Sequence, residues 1–246
     1  MRVAADERLP RRSIRAVFEA VRESAADAGV VPGENVVEGS VNETLDLLLR
    51  HALVVSGEVV LPIQHCLIGR AGRAVARVYS HPQALAQCAD WLEHHYPHAA
   101  RVECFSTAEA ASLAAADTAG AAIAGGARSG LDVLERGLGL SENKTRFFVI
   151  SRAWAPSSGH DRTLLAFEAP HRPGALHACL GPFARAGINL CRLETRPAPA
   201  AAWTYRFIAE VEGHPSSPAL VSVLEELGQY VRELRVLGAW PVTPDV

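Results

Sequence analysis

Between positions 203 and 211 the chain alternates without a break. Trp203, Tyr205, Phe207, Ala209 and Val211 fall on one side, and Thr204, Arg206, Ile208 and Glu210 on the other. A period of two is the pattern of a half-buried strand, and its apolar side must be covered by another layer. The neighbouring segments supply that layer. Leu176, Cys179, Leu180, Phe183 and Ala184 follow helical spacing. Pro173 stands where a helix would begin and Gly187 where it would end. Ala219, Leu220, Val223, Leu224 and Leu227 predict a second amphipathic helix. Leu165 with Phe167, residues 188–194 and residues 230–237 predict three further strands. The order is βαββαβ, a ferredoxin-like arrangement placed over residues 162–246. Arrangement alone assigns no function.

Residues 155–161 (Ala-Pro-Ser-Ser-Gly-His-Asp) are a run of loop formers and read as a linker. Before it, short apolar strands alternate with helical patterns, so residues 1–154 are expected to form an α/β layered domain. Ile14, Val17, Phe18 and Val21 share one helical face, and residues 41–49, 83–96 and 108–116 read as further helices. Strands are predicted at 29–32, 58–63, 77–79, 121–124 and 147–150. A chain of 246 residues that is 49% hydrophobic and 21% charged can bury a real core. A net charge of -3 with no basic stripe argues against a nucleic-acid partner. No run approaches the ~20 apolar residues that cross a bilayer, and residues 1–12 lack the apolar core of a signal peptide. The five cysteines are odd in number and show no C-x-x-C spacing, which fits reduced thiols in the cytoplasm better than disulfides or zinc.

Four segments carry a resemblance. They are Gly39-Ser40-Val41-Asn42-Glu43-Thr44-Leu45-Asp46-Leu47-Leu48, residues Val78 to Cys88 (VYSHPQALAQC), Ser106-Thr107-Ala108-Glu109-Ala110-Ala111 and Asn143-Lys144-Thr145-Arg146-Phe147. In this order and spacing the chain resembles the prephenate dehydratases. The tail is similar to that family's ACT module through Arg172-Pro173-Gly174-Ala175-Leu176 and residues Ile188 to Pro197. The likeness runs from about residue 13 to about residue 240. It implies a two-lobed, periplasmic-binding-protein-like catalytic domain followed by a ferredoxin-like ACT domain. It also implies conversion of prephenate to phenylpyruvate, with no metal and no organic cofactor, under inhibition by L-phenylalanine. A homodimer or homotetramer is expected, because a small βαββαβ module offers sheet edges and helices to a second copy.

The residues it implicates have chemical reasons to be there. Losing the ring hydroxyl with carbon dioxide makes the prephenate ring aromatic, so the enzyme must orient a dianion and help a hydroxide leave. Thr145 matches the family's essential threonine and suits a neutral donor at the leaving oxygen. Arg146 could grip a substrate carboxylate in a bidentate fork or form a structural ion pair. Asn35, Thr44, Ser106, Thr107 and Asn143 lie at or near predicted element ends, where clefts are lined. Ser106 and Thr107 could equally cap a helix, and Thr44 could be an interior helix residue. His81 with Pro82 reads as a helix start, His94, His95 and His98 as a helix end, and Gly125-Gly126 as a turn. Phenylalanine is a zwitterion with an apolar ring, so its site needs acceptors, donors and a slot. The helix start at Gly174, Ala175 and Leu176 offers N–H groups. Asn189, Leu190, Glu194 and Thr195 lie on the neighbouring strand and offer acceptors and a hydroxyl.

Two departures from the family pattern stand out. Its opening strand, glycine-rich turn and helix have no counterpart, since Ser13-Ile14-Arg15-Ala16-Val17-Phe18 already matches the segment beyond them. A first lobe short of one strand is therefore expected. The family's Pro-Ile-Glu-Asn-Ser becomes Pro32-Gly33-Glu34-Asn35-Val36, which loses a hydroxyl near the cleft. These changes keep open a catalytically silent phenylalanine-binding protein, and arogenate, the amino-acid counterpart of prephenate, is the alternative substrate.

Overall fold

A computed structural model describes residues 7–125, 130–138, 143–197 and 205–242. In chain order the elements are α1 (Ile14–Arg22), β1 (Gly29–Asn35), β2 (Gly39–Ser40), α2 (Asn42–Arg50), β3 (Val54–Pro62), β4 (His65–Gly69), β5 (Arg77–Ser80), α3 (Pro82–Gln87) and α4 (Ala89–His95). They continue with β6 (Ala100–Glu103), α5 (Thr107–Ala116), β7 (Gly120–Ala124), β8 (Asp132–Leu138), β9 (Lys144–Ser151), β10 (Asp161–Glu168), α6 (Ala175–Arg185), β11 (Leu190–Pro197), β12 (Tyr205–Glu212), α7 (Pro218–Gly228) and β13 (Leu234–Pro241). They form two compact units, one of residues Met1–Leu61 with Arg146–Val246 and one of Pro62–Thr145.

The second unit is built on a five-stranded sheet in the order β6-β5-β7-β4-β8. Strands β5, β6 and β7 run parallel, and β4 is antiparallel to both β7 and β8. All five residues of β4 and of β7 are buried, as the central strands of a sheet covered on both faces should be. Alanines of α5 pack on one side with Cys66, Ile68 and Ala122. Leu85, Leu92 and their neighbours pack on the other with Leu67, Val78 and Ile123. The helix expected over 83–96 is two helices. Cys88, at φ -104° and ψ 10°, ends α3 and begins α4.

The first unit holds an eight-stranded sheet in the order β11-β12-β10-β13-β3-β9-β1-β2. Its first four strands are the predicted βαββαβ module, with α6 and α7 packed on Leu165, Phe167, Ala209 and Val211. The module's other face is not open to solvent. Leu164, Ala166, Ile208, Leu237 and Trp240 join Phe18, Val21, Leu45, Leu48, Phe148 and Ile150 in one core. β13 meets β3 in parallel at Gly238 and Val55. There a Cβ on Gly238 would lie 2.4 Å from the Val55 carbonyl oxygen, so only glycine fits.

This shared core corrects the half-buried reading of residues 203–211. From Ile208 to Val211 the strand is buried on both faces, because Ile208 enters the shared core and Glu210 meets arginines. Trp203 and Thr204, like Gly126 of the expected turn, lie outside the described residues. Other boundaries shift by the pull of helix ends. Ile188 N–H donates to Phe183 O and Tyr230 N–H to Leu227 O, so both close helices and the strands begin later. Pro173 precedes the helix proper, which starts at Ala175 with Gly174 as its N-cap at φ 76°.

Candidate functional site

Thr145 and Arg146 are neighbours on β9, and the strand's period of two sends their side chains to opposite faces. Arg146 shares a face with Phe148 and Ile150, which are core residues, and its guanidinium lies 5.2 Å from the Phe148 ring centroid. Thr145 takes the other face and is half-buried.

On the Thr145 side, in the unit of residues 62–145, three segments converge. Ile63 N–H donates to Asn143 O at 2.8 Å, which pins the approach to β9 beside the start of β4. Asn143, two residues before Thr145 and buried, donates its Nδ2–H to Gln87 Oε1 at 2.9 Å. His65, the first residue of β4 and also buried, places Nε2 2.7 Å from the same oxygen. Gln87 closes α3. Sequence reasoning singled out Asn143 but passed over His65 and Gln87. The missed signal was a histidine at the head of a fully apolar strand.

In the same unit, Ser106 Oγ accepts from Glu109 N–H at 3.1 Å, and Glu109 Oε2 accepts from Phe105 N–H at 2.8 Å. This reciprocal cap starts α5, with Thr107 as its first residue. His81 likewise caps α3 through Nδ1. His94 and His95 sit in the last turn of α4, where His95 stacks on Trp91.

Arg146 faces a different assembly in the other unit. Its two terminal nitrogens form a fork on Glu210 at 2.8 and 2.9 Å, and also reach Glu34 at 2.5 Å and Glu58 at 3.4 Å. Arg162 pairs with Glu210 at 2.9 Å, and Arg192 with Glu34 at 3.3 Å and Glu194 at 3.5 Å. Burial works against the Arg146 charge, but the hydrogen bonds and charge of Glu210, with the charges of Glu34 and Glu58, hold it more firmly protonated than usual. Burial likewise pushes the Glu210 carboxyl up. The bonds and charge of Arg146, with the charges of Arg192 and Arg162, outweigh it and bring Glu210 below its ordinary range. Of the two readings left open for Arg146, the structure shows the ion pair: both fork nitrogens are engaged by the chain's own carboxylates.

Glu210 lies on β12, and Glu194 on β11, whose polar face also hydrogen-bonds Ser40 and, through Arg196, Asn42. Asn35 Oδ1 accepts from Val37 and Glu38 N–H and so shapes the β1–β2 turn. Thr44 is fully buried, and its hydroxyl donates to Pro32 O at 2.6 Å, a bond that ties α2 to β1. Gly33 explains the altered family motif in part: a Cβ there would meet the Phe148 ring at 2.5 Å.

The residues expected to bind phenylalanine are divided. Ala175 and Leu176 line a cleft of about 170 Å³ with Ala169, Arg172, Tyr205 and Phe207. Gly174 adjoins it, and Thr195 is paired with Phe207 across the sheet. Ala175 N–H is taken by Arg172 O at 3.2 Å, so any carboxylate donors at this helix start are the next N–H groups, of Leu176 and His177. Asn189 and Leu190 lie at the opposite end of α6. Asn189 Nδ2 donates to Glu212, which lines a separate cavity of about 630 Å³ with His160, Asp161, Arg162, Gly213 and Val242. Glu194 turns to the ion network, away from Gly174.

Fold and sites together define a two-lobed α/β protein whose C-terminal ferredoxin-like module shares a core with one lobe. The chain belongs to the prephenate dehydratase family: that family's model matches residues 3–154, and the ACT domain model matches residues 163–229. A bifunctional chorismate mutase/prephenate dehydratase of Pseudomonas aeruginosa is 42% identical over 239 residues. That match takes in 94% of this chain and 66% of the relative, so the chain spans just under two thirds of its length. The crystal structure of a prephenate dehydratase from Arthrobacter aurescens in complex with L-Phe superposes with a TM-score of 0.86 at 33% identity, over 97% of this chain and 83% of that one. The structure of GqqA, described as a novel type of quorum quenching acylase, gives a TM-score of 0.85 at 31% identity over 96% and 89%. Among the described residues no helix is long and apolar enough to cross a membrane.

Proposed function

We propose that this chain is a phenylalanine-regulated prephenate dehydratase, a carbon-oxygen lyase working in the cytoplasm. The observation that carries the reading is the match over residues 3–154 together with Thr145 standing two residues from a buried amide and imidazole cluster. The catalytic region is residues 1–154, the linker 155–161 and the regulatory domain 162–246. In the reaction the electron pair of the carbon-carboxylate bond moves into the ring, carbon dioxide departs, and the ring hydroxyl leaves and takes a proton to become water. The Thr145 hydroxyl polarises that leaving oxygen. Asn143 and Gln87 supply neutral amide groups for the substrate, and the start of α5, with Thr107, favours a carboxylate. Arg146 holds β9 to Glu210 of the regulatory domain rather than holding substrate. This chemistry calls for no metal or organic cofactor.

L-Phenylalanine is the proposed inhibitor, and two copies of the chain complete its site. α6 has 11 residues and so spans about 16 Å at a rise of ~1.5 Å per residue. That keeps the Gly174 end and the Asn189 end from touching one amino acid within a chain. The cleft at Leu176 is also smaller than the ~300 Å³ at which ordinary ligand pockets begin, as half of a shared site would be. A homodimer or homotetramer would join the halves.

Turnover assays of purified protein with prephenate and with arogenate test the reading. Thr145→Ala should lower kcat about 100-fold or more with little change in KM. Turnover of arogenate alone would move the assignment to an arogenate dehydratase, and phenylalanine binding without turnover would make the chain a silent sensor. The likeness to GqqA makes acylase activity a further outcome to assay. Against it, Cys88 beside Gln87 is buried and its thiol is pushed up to about 11, a poor nucleophile.

A further inference from the structure

Gln87 Oε1 is the meeting point of two N–H donors, one from Asn143 Nδ2 at 2.9 Å and one from His65 Nε2 at 2.7 Å. A carboxamide oxygen only accepts, so His65 must carry its proton on Nε2 for this pairing to exist. The opposite polarity would reverse all three groups. In it Gln87 turns its amide by half a turn and donates to a bare Nε2, and Asn143 must turn as well to present its oxygen. The imidazole proton thus favours one sense of the Gln87 amide and, through it, one sense of the buried Asn143 amide. His65 does this from a buried position at the head of β4. Asn143 carries the choice to the chain two residues before Thr145.

We propose that His65 is a positioning residue for the reaction. By donating Nε2–H to Gln87 Oε1 it fixes which ends of the Gln87 and Asn143 amides are presented beside Thr145. This rests on the dehydratase reading above. His65 makes no contact with the reacting atoms; it acts through Gln87. Its chemistry needs only an N–H donor at the Nε2 position, and a glutamine amide can supply one.

The experiment is a rescue series and a double-mutant cycle on the full chain. Wild type is assayed first, and failure to turn over prephenate would defeat the dehydratase reading rather than this one. With active wild type, His65→Leu should lower kcat 10-fold to 100-fold with less than a 3-fold change in KM, a range typical of groups that orient others. His65→Gln should recover most of that loss. His65→Leu added to Gln87→Leu should cost under 2-fold more than Gln87→Leu alone, because a residue acting through Gln87 has nothing left to orient. A full multiplicative loss in the double variant, or equal rates for His65→Gln and His65→Leu, would overturn the proposal. If His65→Leu fails to fold, the comparison of His65→Gln with wild type in the Gln87→Leu background decides it. There the two must be alike, whereas a rate difference above 5-fold would refute the role.

Discussion

Glu210→Gln tests whether the C-terminal module is fastened to the lobe that carries β9 by charge. Glu210 is 1% exposed and takes the fork of Arg146 and one bond from Arg162. Removing one partner of a buried pair costs about 3–5 kcal/mol, since the other charge is left without compensation. Here the loss is softened. Glutamine keeps the volume and one acceptor, Arg146 retains Glu34 and Glu58, and the Arg162 side chain is 30% exposed and can turn to water. The expected destabilisation is therefore about 2–3 kcal/mol at pH 7, below the full figure for a broken pair. Urea unfolding should show it as a midpoint lower by about 1 M. The sign with pH follows from the Glu210 carboxyl lying below its ordinary 4.5 in the fold. Its contribution is complete above that ordinary value and is lost as pH falls through the folded value. Wild type and variant should therefore differ most at neutral pH and converge under acid, where both carry an uncharged side chain. Equal midpoints at pH 7, or a gap that stays constant down to the acid limit, would refute the reasoning.

Gly238→Ala should destabilise by about 3 kcal/mol, because the new Cβ meets Val55 backbone rather than a movable side chain. Calorimetry should place its Tm roughly 6–12 °C lower, whereas Gly228→Ala, which opens onto empty space, should leave Tm within about 2 °C. A normal Tm for Gly238→Ala would mean that β13 and β3 do not meet as described. Cys191 is the exposed thiol and Cys66, Cys88, Cys104 and Cys179 are buried. A thiol reagent should therefore modify one cysteine quickly in native protein and none quickly in Cys191→Ser.

Much of this architecture was legible because it rests on local patterns. The βαββαβ order followed from alternation and helical spacing, and most helices of the first region follow one-sided apolar residues. What stayed hidden depends on partners distant in sequence. Glu210 reads as the polar side of a half-exposed strand until the side chain of Arg146, 64 residues away, is seen to reach it. Strand β8 carries no clear apolar pattern, because its residues are largely exposed or half-exposed, and it is held by pairing with β4. In the site, Thr145 and Asn143 are found by motif, whereas His65 is recognised only when a helix end and a strand start converge on one oxygen. Arg146 shows the reverse case. Its place beside Thr145 in the motif left a carboxylate grip and an ion pair equally open, and the ion pair became visible only with Glu210 and Glu34 in place.

The effector reading makes a demand that a single chain does not meet, and this gives it a direct test. Phenylalanine needs donors for its carboxylate, which the first turn of α6 has, and a slot for its ring, which Leu176, Tyr205 and Phe207 begin to form. An acceptor such as Asn189 sits at the far end of the same helix. If a second copy brings its own Asn189 to that cleft, ligand binding and association must be linked, and each must strengthen the other by the same factor. Sedimentation at micromolar concentrations should then show a dimer or larger species that phenylalanine tightens. Calorimetry should give one ligand per chain. Tyr205→Ala removes a 46% exposed side chain, so the fold should survive while phenylalanine affinity falls about 10-fold, the loss of ~1.4 kcal/mol expected for an aromatic contact. Gly174→Val adds a branched side chain at φ 76°, and should abolish binding by straining the turn that presents the donors. A monomer that binds phenylalanine with full affinity, or a Tyr205→Ala variant that binds as wild type does, would place the effector elsewhere and leave the α6 cleft without that role.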